Sequence, residues 1–157
     1  MKISRSSRRR QVAKSVQPTL PKPMPAAALS GGVLEAVSTD VDEALDRALQ
    51  LIAATRSALL AAKAQLEAIV RDSTDPTEQA EASAELLRVE PELELLRARR
   101  AVLVGGTATL KPPGDAEIAE AQRIAGELAQ DISGSARVAA IASLAAGTVR
   151  LSEQLLA

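Results

Sequence analysis

Between Thr39 and Asp72 the apolar and small residues return alternately every four and three positions: Val41, Leu45, Ala48, Ile52, Thr55, Leu59, Ala62, Leu66 and Ile69. A strand needs a period of two, and an irregular loop has none. The four-three period lays these nine side chains along one stripe of an α-helix. Large residues hold one set of positions (Leu45, Ile52, Leu59, Leu66) and mostly small ones hold the other (Ala48, Thr55, Ala62). A stripe of this kind invites a second helix to approach closely. Thr39 or Ser38 is suited to cap the start, and Asp40, Asp42 and Glu43 complement the positive end of the helix dipole.

A second stripe follows at once. Ala82, Leu86, Val89, Leu93, Leu96, Arg100 and Leu103 also alternate by four and three. The short STDP segment between the stripes predicts an antiparallel pair. Asp75 stands as the cap of the second helix, Pro76 fits its first position, and Glu78 sits where a capping box needs an acid. Pro91 falls inside this helix, but the stripe keeps its register across it. One kinked helix is therefore expected in preference to two separate ones. Arg100 interrupts the stripe, so its charged end must reach outward or meet an acid of the first helix.

Downstream the pattern is less regular. VLVGGTATL has the form of a hairpin, but an isolated pair of strands is marginal in water, so an extended linker is the expectation. A third helix is expected from Asp115, with Ile118, Ala121, Ala125, Leu128 and Ile132 on one face. A fourth runs from about Ala136, with Val138, Ile141, Ala142, Ala145 and Val149 inward. Ser133-Gly134-Ser135 lies between the two, either as a break or as a bend in one long helix. The fold class expected is all-α: an antiparallel helical hairpin or bundle of three to four helices over residues 33–157. In front of it stands a disordered, basic, Pro-rich arm over residues 1–32.

Composition limits what such a bundle can do. The 157 residues include no Phe, Tyr, Trp, His or Cys, while 46% are hydrophobic. The core must be built from Leu, Ile, Val and Ala, without the large area that aromatic rings supply. Missing His and Cys remove the usual zinc, haem and iron–sulfur ligands, the thiol nucleophile and the base that titrates near neutrality. No Gly-rich phosphate loop, nucleophile elbow or EF-hand loop is present. The acids Glu85, Glu90, Glu92 and Glu94, close to Arg88, Arg97, Arg99 and Arg100, read as ordinary helix-surface pairs. No catalytic residue, metal site or cofactor is expected, and the chain reads as no enzyme.

Charge is divided unevenly. Residues 1–25 hold seven Lys or Arg and no acid, whereas the remainder holds twelve against twenty acids. Arg5, Arg8, Arg9, Arg10 and Lys14 form an anion-binding arm that suits phosphates. PTLPKPMP then reads as a stiff spacer. No nucleic-acid-reading motif follows the arm, and missing aromatic residues remove the base-stacking platform.

The expected function is that of a helical interaction protein: an adaptor, chaperone-like accessory or assembly subunit that meets a protein partner or a second copy through its helices. The expected contacts are Leu45, Ile52, Leu59 and Leu66 of the first helix. On the last helix, Ala139, Ser143 and Gly147 lie four apart and permit close approach. The alternative is a nucleic-acid-associated protein held by its arm. No small-molecule substrate and no transmembrane segment are expected, since the apolar run between Arg137 and Arg150 is far too short to span a bilayer. A cytoplasmic location is expected, unless the Arg- and Ser-rich arm is a targeting segment.

Overall fold

A computed structural model describes residues 31–106 and 110–155, with side chains from residue 40 onward. Arg5, Arg8, Arg9, Arg10 and Lys14, and the Pro-rich spacer behind them, lie outside the described residues. The described chain forms four helices: α1 (Gly31–Asp72), α2 (Pro76–Val104), α3 (Asp115–Leu128) and α4 (Arg137–Glu153), with no strand among them.

Helix α1 starts at Gly31, well before Thr39. A cap residue favours a start without forbidding extension, and Leu34, Glu35 and Ala36 are good helix formers. Gly31 and Gly32, the last residues of the segment expected as a disordered arm, therefore lie within α1. Asp75 caps α2 as expected, accepting a hydrogen bond from the Thr77 amide at 2.9 Å. Helix α2 continues through Pro91 as one element. Leu87 and Pro91 are both exposed, so the carbonyl that loses its intrahelical donor lies on the side where water can replace it. Gly106, at φ 64°, turns the chain after α2, and Lys111 donates its amide to the Leu155 carbonyl at 3.3 Å. Residues 107–109 of the segment expected as a linker lie outside the described residues, and Lys111 beyond them lies at the end of α4. Helices α3 and α4 are separate, with Gly134 between them at φ 105°, a conformation that favours glycine.

Hydrogen bonds between helices set the directions. Arg47 of α1 meets Asp115 at the start of α3, and Gln65, five turns further along α1, meets the end of α3 at Leu128. The two helices are therefore parallel. Glu78 at the start of α2 meets Arg137 at the start of α4, and Arg99 meets Ser152 near both C-terminal ends, so these two are also parallel. Helix α1 touches α2, α3 and α4, and α4 likewise touches the other three, but α2 and α3 do not meet. The bundle has a rhombic section, with α1 and α4 across the short diagonal and α2 and α3 at the far corners.

The core is two apolar clusters stacked along α1. One joins Leu59, Leu66 and Ile69 to Val89, Leu93, Leu96, Ile124, Leu128 and Ile141. The other joins Leu51 and Ile52 to Leu103, Ile118 and Leu155. The first-helix stripe is thus buried from Ala48 to Ile69, with Leu45 half-buried and Val41 exposed, and the second is buried except at Leu86, which is half-buried, and Arg100, which is exposed. Between the clusters lie the buried hydroxyls: Thr55 on α1, and Thr148 and Ser152 on α4. Thr148 and Ser152 donate to the Ala145 and Val149 carbonyls.

Two side chains hold the loop end of the bundle. The Gln65 amide donates to the Leu128 and Gln130 carbonyls and accepts from the Ile132 amide, satisfying the end of α3 and its exit loop. Glu78 does not close the capping box it was expected to close. It takes a two-pronged hydrogen bond from Arg137, at 2.6 and 2.8 Å, and another from the Ser73 hydroxyl. These donors favour the ionised carboxylate. Arg137 first and Ser73 second hold its pKa down at about 2, against an ordinary 4.5.

Two predictions follow from these contacts. Thr55 is fully buried and its hydroxyl has no partner. Thr55→Val removes an unsatisfied polar atom while keeping the branched shape, and should stabilise by about 1 kcal/mol. Chemical denaturation measures it, and a loss of stability would show that the hydroxyl is satisfied. For Glu78 the folded pKa lies below the unfolded one, so its contribution is full above pH 4.5 and fades as pH falls towards 2. Glu78→Gln should therefore melt below wild type at pH 7, with the gap closing across that window. A gap that does not change with pH would contradict the clamp.

Candidate interaction surface

Four of the residues expected to meet a partner are on α1, and the fold turns them inward. Ile52, Leu59 and Leu66 are at most 2% exposed and pack in the chain's own core, and Leu45 is half-buried against it. On α4 the core face is Val138, Ile141, Ala145, Thr148 and Ser152, again spaced by three and four. Ala139 and Ser143 lie outside that face and are exposed. Gly147 is half-buried beside α3, where a Cβ would stand 3.4 Å from Ile124 Cδ1. The seven do not come together on one surface.

The exposed apolar surface lies elsewhere, on α2. Ala80, Ala84, Leu87, Pro91, Leu95, Ala98 and Val102 are all exposed, Leu87 at 73% and Leu95 at 48%. Their spacing is four, three, four, four, three, four. By the helical period they share one stripe, opposite the buried Ala82, Val89, Leu93 and Leu96. Helix α2 therefore carries two apolar stripes, of which the bundle covers one. The reason lies in the packing: α2 occupies a far corner of the rhombus, with neighbours only on its inner side.

A groove runs along each side of this ridge. Between α2 and α4 the floor is Leu59, Val89, Ala142, Ala145, Ala146 and Val149, enclosing about 550 Å³. The small alanines of α4 keep it open. Its rim is charged by Glu85, Arg88, Glu92, Arg150 and Glu153. Between α1 and α2 a second groove, of about 740 Å³, holds Leu60 and Ala64 opposite Leu87 and Pro91. Lys63 crosses it to Glu90 at 2.8 Å, and that hydrogen bond keeps the ammonium pKa raised. Towards the C-terminal end of α2 the same side passes into a groove lined by Leu49, Ile52, Leu96 and Val104 and by Arg56, Arg97 and Arg100, with no acid in its lining. Arg100 thus reaches outward from the stripe on which it falls.

The charged residues of α2 are arranged as helix-surface pairs. Arg88 bonds Glu85 at 2.6 Å, and Arg97 bonds Glu94 at 2.5 Å. Arg99, expected in a helix-surface pair with an acid, instead donates to the buried Ser152 hydroxyl at 2.9 Å and ties α2 to α4. On α3, Arg123 bridges Glu120 and Glu127, which lowers the pKa of Glu120. Among the described residues no three His, Cys, Asp or Glu side chains gather as a metal site. No helix among them is long and apolar enough to cross a membrane.

The exposed stripe is written in the sequence as spacings of four and three, but it shares its helix with the inner stripe. The half-buried Leu86, next to Leu87, and the buried Leu96, next to Leu95, blur the two patterns into one apolar region. Comparison with protein-family models, with curated proteins and with solved structures finds no match.

Proposed function

We propose that this chain is a non-enzymatic helical interaction protein, an adaptor, chaperone-like accessory or assembly subunit, and that the outer face of α2 is where it meets other helices. The observation that carries this is the second apolar stripe of α2. Isolated exposed apolar residues are ordinary on any protein surface. Seven in helical register, with a Leu 73% exposed near the middle, form a continuous strip of the kind that marks an interaction site. Grooves on both sides give an incoming helix places for its own side chains, as in helix-in-groove recognition.

The stripe differs from the contacts expected on α1, which the chain uses to fold. It sits on a helix whose other face is anchored in the core, so the strip is presented on a rigid support. Placing a photo-reactive side chain at Leu95 and, as a control, at the exposed Gln122 of α3 tests the proposal in extract of the cells that make the protein. Discrete protein adducts from Leu95 and none from Gln122 are expected. No adduct at Leu95, or the same adducts from both positions, would overturn it.

A further inference from the structure

We infer that the helix this chain receives is acidic: an amphipathic helix of another protein, with two carboxylates one turn apart, seated in the arginine-lined groove between α1 and α2. The inference rests on the proposed role of the outer face of α2, which this groove borders near its C-terminal end, and names the chemistry of the partner.

Three grooves flank α2, and they differ in charge. Between α2 and α4, Arg88 and Arg150 share the rim with Glu85, Glu92 and Glu153. In the groove that holds Leu60 and Leu87, Lys63 is bonded to Glu90 and Arg97 to Glu94. The third is lined by Arg56, Arg97 and Arg100, with no acid. Arg97 lines both α1–α2 grooves and marks their border. The side chains of Arg56 and Arg100 make no hydrogen bond or ion pair among the described residues. Beyond residue 25 the chain holds twenty acids against twelve Lys or Arg. Two arginines left without a carboxylate on one groove of so acidic a body give a local excess of positive charge, which favours an anionic partner there.

The groove has a direction. Because α1 and α2 are antiparallel, Leu49 and Val104 lie at one end and Arg56 and Arg97 at the other, with Ile52 and Leu96 in the floor. Ile52 and Leu96 are buried, whereas Val104 is 62% exposed. Leu49 to Arg56 spans about 10 Å, two turns of a helix. A partner helix covers that length with apolar anchors at i, i+3 or i+4, and i+7. Arg100 stands one turn along α2 from Arg97, towards the Val104 end. Carboxylates four residues apart on the partner's flank are about 6 Å apart along its axis, so one meets Arg56 and the next Arg100. Asp46 lies a turn beyond Leu49, and Glu94 a turn beyond Arg97. Negative charge is therefore favoured only between them, which sets the register.

Other occupants fit less well. The chain's own first 25 residues carry seven Lys or Arg and no acid, so like charge opposes them. In a second copy, the acids beside the exposed α2 stripe, Glu90 and Glu94, are already bonded to Lys63 and Arg97. A nucleic-acid strand has phosphates but no apolar face for Leu49 and Val104, and this chain has no aromatic ring on which to stack its bases. A fatty acid would keep one side in water in a valley between two helices, whereas small ligands bind where most of their surface is covered. A helix about 10 Å across covers the valley and brings apolar and charged groups together.

Two capped fluorescent peptides of about 18 residues, long enough to hold a helix, test this against full-length protein. Each is built of Ala and Gln around one Leu stripe. One carries Glu at two flanking positions four apart, and the other carries Lys there. The Glu peptide should bind at least about tenfold more tightly. Arg56→Gln with Arg100→Gln, both at exposed positions, should abolish that preference while helix content and melting stay unchanged. Replacing Arg5, Arg8, Arg9, Arg10 and Lys14 by Gln should preserve it. Equal binding of the two peptides would overturn the inference. So would a preference that survives loss of Arg56 and Arg100, or one that disappears with the charges of the arm. Arginine-dependent binding of dodecanoate without the Glu peptide would assign the groove to an anionic lipid instead. A dimer in sedimentation that Arg56→Gln with Arg100→Gln dissolves would assign it to a second copy, and either result would overturn the inference. If it fails while Leu95 still gives protein adducts, the interaction role stands and only the acidic partner is lost. If those adducts are absent too, both fail.

Discussion

The structure depends on close approach between helices through alanine. Ala48, Ala58, Ala62, Ala82 and Ala121 are fully buried, and no aromatic ring is available to fill a wider gap. Dispersion falls off steeply with distance, so a core of Leu, Ile, Val and Ala holds only where backbones come near one another. No single pair of helices supplies enough such contact. Helix α1 is accordingly enclosed on three sides, and the α1–α4 diagonal is short. The same economy leaves α2 at a corner, in contact with its neighbours on its inner side only.

Apolar stripes with a seven-residue repeat specify a face but resist sliding poorly, since a shift of two turns brings like against like. Polar contacts that occur once remove this freedom. Glu78 and Arg137 fix the start of α4 against the start of α2. Gln65 holds the α3–α4 loop through three hydrogen bonds, and Arg47 meets Asp115 at the other end of α3. Arg99 and Ser152 join α2 to α4 at the level where the core changes from one apolar cluster to the other. None of these pairs is close in sequence. Each holds a register that the repeats alone would leave degenerate.

The parts of this fold that were legible in the sequence are the local ones. The α1 and α2 stripes, the Asp75 cap and passage through Pro91 follow from spacing and backbone chemistry within a few residues. The long-range contacts were not legible. Glu78 looks like half of a capping box until Arg137, from 59 positions away, is seen to claim it. On α4 the inward face was legible, since Val138, Ile141 and Ala145 enter the core as expected, whereas Ala139 and Ser143 of the small-residue stripe stay exposed and Gly147 lies half-buried beside α3. The early start of α1 shows the limit of capping residues as boundary signals. The outer α2 stripe was present in the sequence throughout, and only the knowledge that the inner one is fully used by α1 and α4 makes it stand apart.

Pro91 connects these levels. Inside a helix a proline costs about 3 kcal/mol through a lost hydrogen bond and a ring clash, and a bundle with a modest core tolerates such a cost only where it can be lessened. Here the residue sits on the face that the fold leaves uncovered.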